Sequence, residues 1–300
     1  MASLTQSNNS GETKQSPLIQ SNKFDYDRMQ TILTYSRKEW EENNCQMDVS
    51  DTIPTPQLWL NSEKKDPELA RSRWKYTLWY RNEFGINDIL TVPHPLYAIM
   101  TKYVPISYIG MTNDGLHPIS LECFPKINLV ALENLGISYP EILYHYMWYT
   151  EYGRQKIVDA NTYNILDLNG GSIMMVRGRR KVLADILGLY FERHMPESTY
   201  KIDIINAPGW FNWVVYPLVK LIAKKETTDK INVFSTPNAT FSEHLSQSIT
   251  LKNVPEMYGG SLMLGNELEH NLKQKNLAEK VLMDCNMAMF TEEDLMERLN

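Results

Sequence analysis

The chain is poor in cysteine. Cys45, Cys123 and Cys285 are its three thiols, far apart, with no Cys-x-x-Cys pair and no zinc-type spacing. That excludes a disulfide framework and makes a reducing cytoplasm the expected compartment. Cationic excess is also missing: the net charge is −6. Bulk nucleic-acid binding and a polybasic membrane anchor need the opposite balance, so no nucleic-acid partner is expected. No apolar run is long enough for a bilayer-spanning helix. The longest uncharged run, Ile204 to Val219, is too short and contains Pro208 and Pro217. The six histidines form no His-Glu-x-x-His pair, so neither a metal nor a cofactor is expected. Gly-x-Ser-x-Gly is absent, and Gly170-Gly171 lack the spacing of a phosphate-binding fingerprint. The first two dozen residues are rich in Ser, Asn, Gln and Thr without an apolar core. They read as a disordered tail over 1–22 rather than a secretory signal, and Ala2 excludes N-myristoylation.

What remains is a globular composition, 43% hydrophobic and 22% charged, in a chain long enough for one large or two modest domains. One stretch stands out. Ile202, Ile204 and Ile205 alternate as a buried strand, and Asn206-Ala207-Pro208-Gly209 then breaks the pattern. From Trp210 to Ile222 only Asn212, Pro217 and Lys220 interrupt apolar residues. A helix wound from this is apolar nearly all round, whereas a surface helix needs one stripe. It is therefore wholly buried, faces a lipid, or covers something apolar.

The rest of the chain supplies a frame. Met29, Ile32, Leu33, Tyr35 and Trp40 sit at helical spacing. Asp66-Pro67-Glu68 opens a helix with an N-cap acid and a first-turn proline, and Gly85 closes it. Residues 23–95 thus read as a helical unit. Val104–Met111 and Pro118–Phe124 are strand-like, joined through Asp114-Gly115 as a hairpin. Helices are expected at Leu129–Leu135, from Tyr139 to about Lys156, and around Val182–Tyr190; strands at Tyr163–Leu168 and Ile231–Ser235. Strands alternating with helices predict an α/β fold with parallel pairs over 96–265. Residues 266–300 read as amphipathic helix, with Thr291 and Asp294 resembling a capping box.

An ordered series of short motifs then acquires meaning: Asp167-Leu168-Asn169-Gly170, Pro196-Glu197, Ile204-Ile205-Asn206-Ala207-Pro208, Lys220, Lys230-Ile231 and Tyr258-Gly259-Gly260. Together they resemble the CRAL-TRIO lipid-binding domain, the fold of phosphatidylinositol/phosphatidylcholine transfer proteins and of retinaldehyde and tocopherol carriers. The resemblance extends upstream to Tyr80–Ile86 and Asp114–Pro118, covering roughly 56 to 262. There are departures. His117 stands where the family has Arg before Pro118, and Trp59–Lys65 replaces an arginine-rich stretch. The resemblance pairs Lys220 with a glutamate near Leu187, and none is there, which leans against a phosphoinositide headgroup.

The resemblance implies an α/β sheet flanked by helices around an apolar lipid cavity, behind a small helical N-terminal unit. A two-chain lipid hides about thirty methylenes, and exposing them to water costs on the order of 20 kcal/mol. A carrier must replace that burial and open only at a membrane. Trp210, Phe211, Trp213, Val214, Tyr216 and Val219 are the expected gate and membrane contact, with Pro208 and Gly209 as hinge and Lys220 as headgroup contact. Alternation predicts Tyr108, Leu121, Tyr146, Tyr149, Ile165 and Leu187 as cavity lining. The expected activity is binding and intermembrane transfer of one lipid, phospholipid or isoprenoid-type, without covalent chemistry and without catalytic residues. The protein would be cytoplasmic and transiently bound to a membrane surface. The alternative is a lipid-sensing module that presents its lipid to a protein partner through the C-terminal helices. Asp167 at a strand end reads as a turn or cap residue, there being no adjacent His or nucleophile. Arg177, Arg179, Arg180 and Lys181 read as a solvated helix face, with contact to anionic lipid the lesser reading.

Overall fold

The computed structural model describes residues 25–45, 47–48, 53–64, 66–154, 161–217, 225–235, 239–262 and 269–299. The N-terminal helical pattern splits in two, α1 (Tyr26–Leu33) and α2 (Arg37–Glu42), because Ser36 and Glu39 form a reciprocal capping box that starts a new helix. A short α3 (Gln57–Ser62) precedes α4 (Pro67–Glu83). The Asp66 side chain accepts from Leu69 N at 2.8 Å, and Gly85 adopts the left-handed φ of 61° that ends the helix. A 3-10 turn at Ile86–Thr91 and α5 (Tyr97–Tyr103) lead into the sheet.

Among the described residues the sheet has five strands in chain order: β1 (Ile106–Met111), β2 (Pro118–Glu122), β3 (Thr162–Asp167), β4 (Thr199–Ala207) and β5 (Ile231–Ser235). β1 and β2 form the expected antiparallel hairpin, with a register shift after Tyr108; β2 to β5 are parallel. Crossovers between parallel strands are right-handed, so a sheet that grows in one direction places every crossover on one face. That face carries α6 (Leu129–Asn134) and α7 (Tyr139–Arg154) between β2 and β3, and α8 (Gly178–His194) between β3 and β4. It also carries the segment after β4, from Trp210 to Tyr216; α9 (Lys225–Thr228) precedes β5. α10 (Ala239–Ser248) covers the opposite face.

The two faces are packed differently. On the α10 side Ile119, Leu121, Tyr163, Ile165 and Ile205 form a dry cluster with Phe241, Leu245, Ile249, Val254 and Tyr258. On the other side the largest core joins α1, α4, α5, α7 and α8 to the C-terminal helices α11 (Glu269–Asp284) and α12 (Glu292–Leu299). Ala278 and Leu295 are buried in that core with Met29, Tyr80 and Trp148, so both ends of the chain share it. The Thr291–Asp294 capping box is formed, with Thr291 N donating to Asp294 at 2.7 Å. No helix among the described residues is long and apolar enough to cross a membrane.

Candidate functional site

Between the helical side of the sheet and α7 and α8 lies a cavity of about 280 Å³. Ile106 and Tyr108 of β1, Pro118, Ser120 and Glu122 of β2, Thr162, Asn164 and Leu166 of β3, and Ile202 of β4 form its floor. Tyr146, Tyr149, Thr150, Gly153 and Arg154 of α7 cover it, with Phe191, Met195 and Pro196 at the end of α8 and Leu58 and Trp59 of α3. The four-residue step from Tyr146 to Thr150 and the seven-residue step from Tyr146 to Gly153 hold to one helical stripe. The alternation along each strand puts every second residue on the floor.

The cavity surface is mostly apolar; Glu122, Tyr146 and Tyr149 form one polar pole, and Arg154, Thr162, Asn164, Ser198 and Thr199 add further polar groups to the wall. Tyr146 donates its hydroxyl to Glu122, and Ser120 donates to Asn164 at 2.7 Å. Burial in this low-dielectric wall pushes the Glu122 carboxyl up to about 7, against the opposing effect of the Tyr146 hydrogen bond. The same burial, with Glu122 nearby, holds the Tyr146 and Tyr149 phenols well above their ordinary range. The Tyr149 hydroxyl is buried and has no hydrogen-bond partner in the protein. A buried hydroxyl left in that state costs about 1–3 kcal/mol, which a ligand acceptor or donor would recover.

The segment after β4 packs over the neighbouring part of the same face. Phe211 is buried against Leu168, Ile204 and Ala207, with Leu166 and Ile202 at the border shared with the cavity. Residues Phe211–Val215 form a π-helical turn, in which Tyr216 N reaches Phe211 O. Pro217 cannot donate to Trp213, so a regular α-helical ladder is broken here. Trp213 is 83% exposed and Val214 is exposed, while the Tyr216 hydroxyl meets Ile231 O at 3.5 Å. Trp210 Nε1 donates to Gly171 O at 3.3 Å, tying the root of this segment to the turn after β3. Val219 and Lys220 lie outside the described residues.

The turn that leads into this segment is anchored by an acid. Asp167 is 1% exposed at the end of β3. It accepts from Asn169 N at 2.8 Å, from Asn206 Nδ2 at 2.9 Å and from the Tyr258 hydroxyl. Asn206 takes a left-handed φ of 51°, a conformation Asn tolerates, and this turns the chain into Pro208-Gly209. Pro208 O then accepts from Phe211 N at 2.9 Å and starts the helical turn. With three donors the Asp167 carboxylate is an anchor for three loops, not a free base.

Of the residues expected to line the cavity, Tyr108, Tyr146 and Tyr149 are at its wall. Leu121 and Ile165 are not: they point to the opposite face, into the dry cluster under α10. Leu187 is buried in the helical core. In β2 and β3 the more apolar half of the alternation faces α10, where close packing supports the sheet. The floor of β2 and β3 takes Ser120, Glu122, Thr162 and Asn164, which the sequence reading does not single out. Their signal was the recurrence of polar, non-turn residues inside strands that pair on both sides. No cluster of three or more metal-binding side chains occurs among the described residues.

The fold is a mixed sheet with its crossovers on one face, a cavity beneath α7 and a partly exposed apolar segment beside it. Residues 124–260 match the family model of the CRAL/TRIO domain. Two relatives from Arabidopsis thaliana are the phosphatidylinositol/phosphatidylcholine transfer proteins SFH13 and SFH12. SFH13 is 21% identical over 245 residues, 78% of this chain and 39% of its own length. SFH12 is 24% identical over 214 residues, 68% of this chain and 38% of its own. The chain thus spans about two-fifths of these curated relatives. Among solved structures, that of Sfh5 superposes with a TM-score of 0.50 at 15% identity, covering 75% of this chain and 85% of that one, a likeness of fold.

Proposed function

We propose that the protein binds one lipid in the cavity beneath α7 and transfers it between membranes, without a covalent step. The observation that carries this reading is the juxtaposition of a mostly apolar cavity with an apolar segment that turns Trp213 and Val214 to solvent. The cavity offers apolar walls to a chain and the pole at Glu122, Tyr146 and Tyr149 to a polar group. The segment from Trp210 to Pro217 borders it and presents Trp213 outward, where an indole suits the bilayer interface. Closure would place Phe211 on the sheet, as here, and opening would pivot at Asn206–Gly209. The names of the Arabidopsis relatives support phospholipid as one class of cargo. A cavity of about 280 Å³ sits at the lower edge of small-molecule sites, ~300–1,000 Å³, so a two-chain lipid requires displacement of the gate. Transient membrane association follows from the same mechanism. The saturation of Asp167 supports a carrier over an acid–base enzyme at that strand end.

The test is lipid extraction of the purified protein with mass spectrometry, followed by transfer between donor and acceptor vesicles. The expected result is one equivalent of lipid, moved at a rate proportional to protein. Absence of any stoichiometric hydrophobe would overturn the carrier reading; bound lipid without transfer would replace it by the sensing role.

A further inference from the structure

The chain leaves β3 through Asn169–Ser172, makes a single 3-10 turn at Ile173–Val176 and enters α8. Within ten residues four large apolar side chains face solvent: Ile173 is 42% exposed, Met174 65%, Val176 36% and Val182 43%. Isolated exposed apolar residues need no explanation, but a contiguous group does. The same stretch holds Arg177, Arg179, Arg180 and Lys181, in a chain whose net charge is −6. Arg179 meets Glu133 at 2.8 Å and Lys181 meets Asp185, so two carboxylates face four cations. Arg180 spends its hydrogen bonds on the carbonyls of Phe124 and Pro125, at 2.8 and 3.0 Å, which fix the side chain without neutralising it.

Folding alone does not account for this arrangement. Three of the cations occupy the first turn of α8, where the helix dipole disfavours positive charge, and that turn holds no acid. Apolar side chains left in water beside charges that oppose their own helix are a local conflict of the kind that marks a functional surface. The chemistry selects the partner. Aliphatic and thioether side chains ringed by cations suit the boundary between acyl chains and anionic headgroups.

We propose that residues 172–182 form a docking face for an anionic bilayer, distinct from the gate and fastened to it. The fastening is at Gly171, whose carbonyl accepts from Trp210, the root of the gate. Gly171 is itself held by its N–H to Leu168 O at 2.8 Å, and Met175 Sδ packs so close that a Cβ there would approach within 3.3 Å. Seating Ile173 and Met174 in a membrane therefore brings force to the segment that must open. The inference rests on the carrier reading for its purpose, but not for the docking itself.

The test is sedimentation of the full chain with vesicles of phosphatidylcholine alone and of phosphatidylcholine with phosphatidylserine. The wild-type protein is expected to prefer the anionic vesicles and to lose that preference as salt is raised. Removing two charges by Arg177→Gln with Arg179→Gln should lower partitioning onto anionic vesicles by roughly thirtyfold, about fivefold per charge. Met174→Asp should weaken binding to both vesicle types. Both variants alter exposed side chains, and a thermal melt confirms their fold. Their content of extracted lipid should equal that of the wild type, since neither touches the cavity. Equal binding of wild type to both vesicle types, or wild-type binding by both variants, would overturn the docking face. Failure of the carrier reading looks different: no lipid in the wild-type extract, with vesicle binding and its charge dependence intact.

Discussion

Tyr258 donates its hydroxyl to the buried carboxylate of Asp167, which precedes it by 91 residues. Through Asn206 and Asn169 the same carboxylate also fixes the end of β4 and the turn after β3. A charge taken from water needs such partners, and losing one costs about 1–3 kcal/mol. Tyr258→Phe should lower the unfolding free energy by that amount, seen as a lower urea midpoint with an unchanged m-value. An unaltered midpoint would mean the bond contributes nothing in solution.

The carboxyl of Glu122 makes a second prediction. In the folded protein it titrates at about 7, against an ordinary 4.5, because burial disfavours its charge. Between those values the folded state binds the extra proton. The contribution of Glu122 to stability is therefore present below about 4.5 and is lost as pH rises to about 7, on the order of 3 kcal/mol in total. Glu122→Gln removes the titration. Its stability relative to wild type should rise across that window and stay level above it, as read from urea unfolding at a series of pH values.

Histidines act in the opposite direction. His94 and His145 meet at 3.1 Å inside the helical core, and His194 stacks on Tyr80 with ring centroids 4.1 Å apart. Burial holds all three below their ordinary range, His145 down to about 3, with the neighbouring His145 adding to the effect at His94 and Arg193 at His194. Below about 6.5 the unfolded chain takes up protons that the folded core refuses, so stability falls as pH falls. Each group contributes a slope of about 1.4 kcal/mol per pH unit, and three outweigh the single opposing slope of Glu122. The protein should lose several kcal/mol between about pH 6.5 and 5 by chemical denaturation. A flat profile there would mean that these imidazoles titrate as exposed ones do.

Trp213 and Phe211 separate gating from folding. Trp213 is largely exposed and Phe211 is 8% exposed. Trp213→Asp should leave the melting free energy within about 0.5 kcal/mol while reducing vesicle binding and lipid exchange. Phe211→Ala should cost about 3–5 kcal/mol, as deletion of a packed aromatic does. Unchanged exchange in Trp213→Asp would remove the gate assignment.

Local chemistry carried most of the element pattern. Asp66-Pro67 before a helix, Gly85 after it, Asp114-Gly115 between two alternating runs and Thr291 with Asp294 each act within a few residues. Their consequences were therefore readable one segment at a time. The split between α1 and α2 was missed although Ser36-x-x-Glu39 is a capping box, because the apolar spacing runs on across it.

The cavity behaved otherwise. Alternation in β2 and β3 states that Leu121 and Ile165 lie opposite Glu122 and Asn164, but not which set meets α7 and which meets α10. Helical periodicity placed Tyr146 and Tyr149 on one stripe of α7 without naming what the stripe covers. By itself the sequence determined most of the strands, helices and caps, since these depend on neighbours in the chain, and its ordered motifs pointed to the fold. Only the tertiary structure decided that the polar side of β2 and the Thr162–Asn164 side of β3 face the cavity, that Glu122 is its acidic pole and that Asp167 is an anchor. Each of those facts arises where elements distant in sequence pack together, and burial there sets both the contacts and the charge.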